Sequence, residues 1–227
     1  MFDYLNHVND LYPIRRKEEQ KENFRKYVLD EAQKLGYDAK VEKIKEHNNV
    51  VIGNPEKAKV IFTAHYDTPA ASIIPNLMMP RNIILSFCYA FGYAIILAII
   101  SILLSDVIQI SLGLDDWYSI IFFLLIYFGS FFVSMRFFVN KHNKNDNTSG
   151  VATILSLMEK NPNSDIAFIL FDNEEKGLLG SKAFSKANKE LFKDKLLINL
   201  DCVANGNNIL FIAKDEAIKL NAYSILK

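Results

Sequence analysis

The chain has 227 residues, and its 26 Lys and Arg are balanced by 26 Asp and Glu. A net charge of zero argues against a nucleic-acid partner, because binding to phosphates needs a basic excess or a basic patch. The charges are unevenly spread, since residues 82–139 hold only Asp106, Asp115, Asp116 and Arg136. This composition argues against a purely soluble protein and excludes a pure membrane bundle. It indicates a charge-rich domain that is interrupted by a lipid-like segment.

The elements before that segment are a helix and three short strands. Residues 15–35 are predicted to form an amphipathic helix that stops at Gly36. Its apolar side chains recur at helical spacing: Phe24, Tyr27, Val28, Ala32 and Leu35. Three β-rich runs then follow, at residues 37–44, 49–53 and 59–64, and each is predicted to be a strand.

The lipid-like segment contains two uncharged runs, residues 82–104 and residues 117–135. As a helix, the first run would reach roughly 34 Å, enough to cross a hydrocarbon core of about 30 Å. Two buried core helices are the alternative, but helices of water-soluble proteins normally keep a polar stripe and these runs have none. We therefore predict a transmembrane helical hairpin over residues 81–140, with the lipid bilayer as its partner.

The charges that flank the two runs predict the orientation of the hairpin. Arg81 precedes the first run, and Arg136, Lys141 and Lys144 follow the second. The predicted connecting loop, residues 105–116, contains Asp but no Lys or Arg. By the positive-inside rule, both outer flanks face the cytoplasm. The sequence thus predicts a protein of the cell membrane that crosses it twice, with its polar domain in the cytoplasm.

After the hairpin, predicted helices and strands alternate. The helices are residues 150–159, 180–187 and 216–226, and the strands are residues 165–171, 196–200 and 209–213. Such alternation favours an α/β sandwich with a mainly parallel sheet. Its domain would be divided by the hairpin into a first part, residues 1–80, and a second part, residues 141–227.

Candidate functional residues stand at the ends of these elements. They are His65 and Asp67 after the third strand, Asp146 before a helix, Glu174 and Glu175 after a strand, and Asp201 after another. Each has an ordinary explanation by itself, such as a helix cap, an acidic turn or a hydrogen-bonded histidine. In α/β sheets, however, sites form at the carboxyl ends of strands. Carboxylates and an imidazole gathered there suit zinc, with manganese or cobalt as alternatives.

Four segments carry these residues in a fixed order. They read His-Tyr-Asp-Thr at 65–68, Asn-Asp-Asn-Thr-Ser-Gly at 145–150, Phe-Asp-Asn-Glu-Glu-Lys-Gly-Leu-Leu-Gly-Ser at 171–181 and Asn-Leu-Asp at 199–201. They resemble the motifs of the di-zinc aminopeptidase family, which includes bacterial leucyl aminopeptidases, aminopeptidase Y and glutamate carboxypeptidase II. The resemblance runs from about Arg15 to the C-terminus. It implies a three-layer α/β sandwich of the zinc-exopeptidase type, with a mixed, mainly parallel central sheet.

The resemblance also implies a role for each candidate residue. His65 and Asp201 would bind one zinc, Asp146 would bridge two zincs, and Glu175 would bind the second. Two cations can activate water and polarise the scissile carbonyl at neutral pH, which agrees with these roles.

The remaining two carboxylates would act on the chemistry itself. Glu174 would be the general base towards the attacking water, and Asp67 would orient His65. The resemblance further implies a cis peptide bond between Asp146 and Asn147.

Two features depart from the family pattern. Asp67 and Asp146 are 79 positions apart, where the family has a short loop, and the predicted hairpin occupies that gap. The family's last zinc ligand is a His beyond Asp201, whereas this chain has His only at positions 7, 47, 65 and 142. The chain is therefore expected to be truncated or to have an incomplete second metal site. His142 is a disfavoured substitute, because its surroundings are basic and close to the membrane.

These inferences predict a membrane-anchored zinc metallopeptidase, a hydrolase that acts as an aminopeptidase on peptides or aminoacyl amides. One alternative is a catalytically impaired, membrane-tethered binding protein with a partial metal site. The absent His favours it, and the intact Glu174-Glu175 pair disfavours it. The other alternative is a related amide hydrolase or cyclase, because this site architecture also serves glutaminyl cyclisation in relatives. The sequence leaves the oligomeric state open.

Overall fold

The computed structural model describes residues 2–70, 82–137, 141, 143–161, 165–206, 210 and 212–213. The chain forms two compact units. The first unit joins residues 1–68 to residues 142–227, and we call it the main domain. The second unit is residues 69–141, which we call the insertion.

The helices and strands of the described residues are these, in chain order: α1 Tyr4–Leu11, α2 Glu18–Lys34, β1 Ala39–Ile44, β2 His47–Ile52, β3 Val60–His65, α3 Ile83–Ser111, α4 Trp117–Phe137, α5 Ser149–Lys160, β4 Ile166–Phe171, α6 Leu179–Ala187 and β5 Leu196–Asn199. A turn at Lys144–Thr148 precedes α5, and a short 3-10 turn at Glu174–Lys176 follows β4.

The main domain is built on one sheet with the strand order β1-β2-β4-β3-β5. β3 pairs in parallel with both β4 and β5, whereas β2 pairs antiparallel with β1 and with β4. The predicted mixed sheet is confirmed. Four of the five described strands run in the same direction, and β2 runs opposite to them. β2 follows β1 through a tight turn, which requires antiparallel pairing.

Helices cover both faces of this sheet. Alternate side chains of a strand point to opposite faces, so β4 contributes to two separate clusters. Phe168 and Leu170 lie in a buried cluster with side chains of α1, α2 and α5. Ala167 and Ile169 lie in a second cluster with Phe184 of α6. The predicted sandwich of helices around a central sheet is therefore present.

Most predicted elements of the main domain form close to their expected positions, but α1 was not predicted. It has only eight residues, of which Tyr4 and Val8 are buried, so its periodicity is too short to detect. The Asp3 carboxylate caps it by accepting a hydrogen bond from the Asn6 backbone N–H at 3.1 Å. The predicted strand 209–213 and the predicted helix 216–226 lie largely or wholly outside the described residues.

The insertion contains the helical pair α3 and α4. By length and composition, the 29-residue α3 could cross a membrane, and it is the one helix of the described residues that meets this test. The described apolar part of α4 is shorter, Trp117–Val133. Two membrane crossings and their orientation therefore stay predictions.

The predicted loop of the insertion, residues 105–116, is wrong in its first half, because Ser105–Ser111 belongs to α3. Ser105 and Gln109 are almost fully buried. The Ser105 hydroxyl lies 3.3 Å from the hydroxyl of Ser119 in α4, and Ser119 also donates to Asp106. Partners within the hairpin thus allow this polar stretch to remain helical.

Gly180 provides a test of how α6 packs against the end of β4. A Cβ at this position would lie 2.0 Å from the backbone oxygen of Asp172 and 2.8 Å from Asn49 Oδ1. Gly180→Ala should lower the unfolding free energy by about 1–3 kcal/mol, because backbone would have to move. Ser185→Ala, at an exposed site of the same helix, should change it by less than about 0.5 kcal/mol. Urea unfolding in mild detergent measures both, and equal stabilities would contradict the close approach.

Candidate metal centre

The predicted site residues meet at one edge of the sheet. β3, β4 and β5 run parallel, so their carboxyl ends lie together. β3 ends at His65, the turn after β4 carries Glu174 and Glu175, and Asp201 follows β5. Asp146 reaches the same edge from the turn that precedes α5.

His65 lies at the centre of this group. Its Nε2 is 3.4 Å from Asp146 Oδ1, 3.8 Å from Asp201 Oδ1 and 3.9 Å from Glu174 Oε2. Ligands about 2.1 Å from a tetrahedral zinc lie about 3.4 Å apart, so the distances from His65 to Asp146 and to Asp201 are close to the spacing that one ion requires. The His65 ring is 5% exposed, whereas the Asp146 and Asp201 side chains are 42% and 47% exposed. The site is therefore anchored in the core and open on one side.

Two ligand triads can be formed from the described residues. One is His65, Asp146 and Asp201, and the other is His65, Glu174 and Glu175, each with its ligand atoms within 4.8 Å of one another. The first triad contains the three residues that the resemblance assigns to one zinc. The second places Glu175 beside His65 and Glu174.

Asp67 makes its main contacts with the turn that carries the two glutamates. Its Oδ1 accepts a hydrogen bond from the Glu174 N–H at 3.0 Å, and its Oδ2 accepts one from the Glu175 N–H at 3.1 Å. His65 Nδ1 lies 3.1 Å from the Asp67 backbone oxygen and 3.5 Å from Asp67 Oδ1. With its proton on Nδ1, His65 would present the lone pair of Nε2 to a cation held between the ring and the carboxylates. Asp67 thus holds the glutamates by its carboxylate and contacts His65 most closely through its backbone.

The turn Lys144–Thr148 directs Asp146 into the site. Asp146 and Asn147 depart from helical geometry, and the peptide bond between them is cis, which confirms the prediction. Asn147 Nδ2 donates to the Leu200 backbone oxygen at 2.9 Å, and its Oδ1 accepts from the Cys202 N–H at 3.3 Å. The amide of Asn147 therefore fixes the segment that carries Asp201 beside the segment that carries Asp146.

The neighbours of Asn147 extend this attachment. Asn145 Oδ1 accepts hydrogen bonds from the N–H groups of Ala204 and Asn205, both at 3.1 Å. Ser149 Oγ accepts one from the Val203 N–H at 3.0 Å. The N–H groups of residues 202–205 are thus all bound by side chains of residues 145–149. These polar side chains therefore connect two segments of the chain.

The electrostatics of the site indicate an excess of negative charge. Burial opposes protonation of His65, but hydrogen bonds to Asp146, Asp201 and Asp67 outweigh it and raise the His65 pKa to about 12. Burial, followed by the charge of Asp146, raises the pKa of Glu175 to about 8. Burial likewise raises the pKa of Glu174. Carboxylates crowded around one imidazole are a donor set that fits a divalent cation.

Sequence reasoning missed a buried lysine that supports the site from α2. Lys21 is 3% exposed, and its Nζ donates to Asp172 Oδ1 at 2.7 Å and to Asn173 Oδ1 at 3.1 Å. These two residues directly precede Glu174, so Lys21 holds the start of the glutamate turn. A signal was available, because Lys21 falls in helical phase with the apolar residues Phe24 and Val28.

Comparisons with known proteins found one family and several solved structures that resemble this chain. Peptidase family M28 matches residues 139–225. No curated protein matches the chain. A glutaminyl cyclase from Bacteroides thetaiotaomicron has a TM-score of 0.52 at 15% identity, covering 97% of this chain and 66% of its own. A Zn-dependent exopeptidase from Parabacteroides distasonis has the same TM-score at 16% identity, covering 98% of this chain and 67% of its own.

The structural neighbours show a shared fold, and the chain spans about two thirds of their length. The family match covers residues 139–225, which is less than half of the chain. The comparisons do not single out the di-zinc aminopeptidases that the motifs resemble, since a glutaminyl cyclase matches the fold equally well.

Asp67 can be tested as the support of the glutamate turn. In Asp67→Asn, one amide oxygen remains as an acceptor while the NH2 group faces a second N–H donor, and one negative charge is lost. Both changes should weaken zinc binding, by about 10–100-fold. Asp38→Asn removes the same charge at an exposed position and should leave the affinity nearly unchanged. Competition with a chelator measures both affinities, and an Asp67→Asn protein that binds zinc like the wild type would disprove this role.

Proposed function

We propose that this chain is a zinc-dependent, membrane-anchored metallopeptidase that acts as an aminopeptidase on cytosolic peptides. The observation that carries the proposal is the placement of Glu174 and Glu175 beside the triad of His65, Asp146 and Asp201. These residues come from four segments far apart in the sequence and meet at the carboxyl edge of one sheet. Peptidase family M28 matches the part of the chain that contains four of the five.

The donor set supports the following roles for the metal ligands. His65, Asp146 and Asp201 would hold one zinc, and Glu175 would contribute to a second, weaker site together with Asp146. Zinc bound there would polarise the scissile carbonyl and stabilise the charge that develops on its oxygen. His65 supplies the buried end of the site, and the half-exposed carboxylates leave one side open to substrate.

Glu174 is the proposed general base. Its side chain is 30% exposed, so water can reach it, and its Oε2 lies 3.9 Å from His65 Nε2. Burial raises its pKa, which brings a carboxylate closer to the proton affinity that transfer at neutral pH needs. Asp67 fixes its backbone. Glu174 would take a proton from the attacking water and deliver it to the leaving amine.

A second candidate function is cyclisation of N-terminal glutaminyl peptides. The glutaminyl cyclase and the exopeptidase have equal TM-scores to this chain, so the fold does not favour one of the two reactions. In that reaction the α-amine of the substrate attacks its own side-chain amide, and ammonia leaves. The same carboxylate of Glu174 would move the proton, so only the substrate distinguishes the two reactions.

Membrane anchoring is supported by α3 and by the sequence that flanks the hairpin. α3 is long and apolar enough to span a bilayer, and many of its large apolar side chains are exposed. In the sequence, Arg81, Arg136, Lys141 and Lys144 lie towards the outer ends of the two helices. Asp106, Asp115 and Asp116 lie towards the connection between the helices. We propose that both helices cross the membrane and that the main domain faces the cytoplasm.

The two adjacent glutamates should give different defects. Glu174→Gln keeps the shape of the side chain but removes the base, so turnover should fall about 10²–10⁴-fold while zinc content is retained. Glu175→Gln should instead reduce zinc content, with activity falling as a consequence. Zinc analysis and turnover are measured on the full chain in detergent, with aminoacyl amides and an N-terminal glutaminyl peptide as substrates.

The pattern of results separates the proposed functions. Release of N-terminal residues supports the aminopeptidase, and ammonia release from the glutaminyl peptide alone supports the cyclase. Absence of metal-dependent turnover on every substrate would favour the binding protein. If Glu174→Gln loses metal and Glu175→Gln loses only turnover, the two roles are reversed.

The orientation of the hairpin can be tested by thiol labelling. Ser111→Cys and Ser185→Cys are made separately in a protein whose Cys88 and Cys202 have been replaced; both new positions are exposed. In intact cells an impermeant thiol reagent should label position 111 and spare position 185. Permeabilised cells provide the control, since both positions should then react. Labelling of position 185 alone in intact cells would reverse the proposed topology.

A further inference from the structure

The insertion divides the candidate metal centre in the sequence. The main domain ends its first part at Thr68, three residues after His65, and resumes at residue 142, four residues before Asp146. Two ligands of one triad are therefore attached directly to the two ends of a long insertion. Their separation must be fixed by contacts inside the main domain, because the covalent chain between them is too long to set it.

Arg15 makes contacts with both ends. Its Nε donates to the Tyr66 backbone oxygen at 2.5 Å, one residue after His65. Its Nη2 donates to Thr148 Oγ1 at 3.0 Å, two residues after Asp146. A third donor, Nη1, is bound by the Tyr12 backbone oxygen at 2.6 Å. One guanidinium thus joins three segments of the chain.

The backbone around Arg15 strengthens this connection. The Arg15 N–H donates to Thr68 Oγ1 at 2.9 Å, and the Thr68 N–H donates to the Arg15 oxygen at 3.3 Å. On the other side, Asn143 Nδ2 donates to the Pro13 oxygen at 2.7 Å. Residues 12–15 therefore hold the chain where it leaves the main domain and where it returns.

The Arg15 side chain is fully buried, and its guanidinium carbon lies 5.0 Å from the centre of the Phe24 ring. Burial costs free energy for a cation unless its donors are satisfied and its charge is compensated. The three hydrogen bonds satisfy donors, and the charge of Asp67 lies close enough to favour the charged form. A lysine has one nitrogen and could not reach three acceptors in a planar arrangement.

We propose that Arg15 is a positioning residue, which sets the distance between His65 and Asp146 by clamping the two ends of the insertion together. The inference rests on the proposed function, because it takes these two residues to be metal ligands. It assigns Arg15 no contact with substrate. Loss of Arg15 should therefore weaken metal binding directly, and any loss of activity should follow from the weaker binding.

The test compares metal affinity in full-length variants in detergent. Arg15→Met should bind cobalt and zinc about 10–100-fold more weakly than the wild type, the usual effect of losing a residue that orients ligands. The visible spectrum of bound cobalt should change as well, since the ligand geometry changes. Arg25→Met removes another buried arginine, one that contacts side chains of Glu18 and Tyr66, and should keep both affinity and spectrum.

Two further measurements keep the test decisive if Arg15→Met does not fold. Thr148→Val removes only the acceptor of Nη2 and should weaken cobalt binding in the same direction, but less. In Arg15→Ala, millimolar guanidinium should restore part of the affinity, whereas ammonium should not. A general loss of stability would not be repaired selectively by guanidinium.

The outcomes distinguish this inference from the proposed function. If the wild type binds cobalt and zinc while Arg15→Met and Thr148→Val bind them equally well with the same spectrum, the positioning role is wrong and the metal site stands. If the wild type binds neither metal, both proposals are wrong. Weaker binding in the two variants, with Arg25→Met unchanged, supports the positioning role.

Discussion

The parallel pairing of β3 with both β4 and β5 is the constraint on which the candidate site depends. It brings the carboxyl ends of three strands to one edge of the sheet. His65 is the last residue of β3, and Glu174 and Asp201 come shortly after β4 and β5. Antiparallel pairing at the same positions would send one end to the opposite edge. The hydrogen bonds of two strand pairs therefore place groups from distant parts of the sequence within reach of one ion.

This convergence concentrates negative charge at the site. Two buried cations, Lys21 and Arg15, lie close to it and partly compensate that charge. Lys21 binds the residues that precede Glu174, and Arg15 binds the backbone beside His65 and the hydroxyl of Thr148. Neither reaches the open side of the site. A divalent cation can thus neutralise the exposed carboxylates while the protein's own cations stabilise the segments that hold them.

The position of the insertion has a physical consequence for the site. A long segment can be placed between two ligands only if its ends are held close together by other means. The polar contacts of residues 12–15 and of Asn143 supply such an attachment. Within the insertion, the polar side chains of Ser105, Gln109 and Ser119 are also satisfied by nearby groups of the hairpin, as buried polar groups require.

By itself, the sequence determined which side chains are present at the site, the two apolar runs, and the alternation of helices and strands. It did so because a motif of consecutive residues, a long apolar run or a strong periodicity is a local property. Only the tertiary structure decided the antiparallel pairing of β2 with β4, the helical state of Ser105–Ser111, and the partners of Arg15, Lys21 and Asn147. Each of these depends on a strand, carbonyl or carboxylate that comes from another segment, and no local pattern reveals which segment will be beside it.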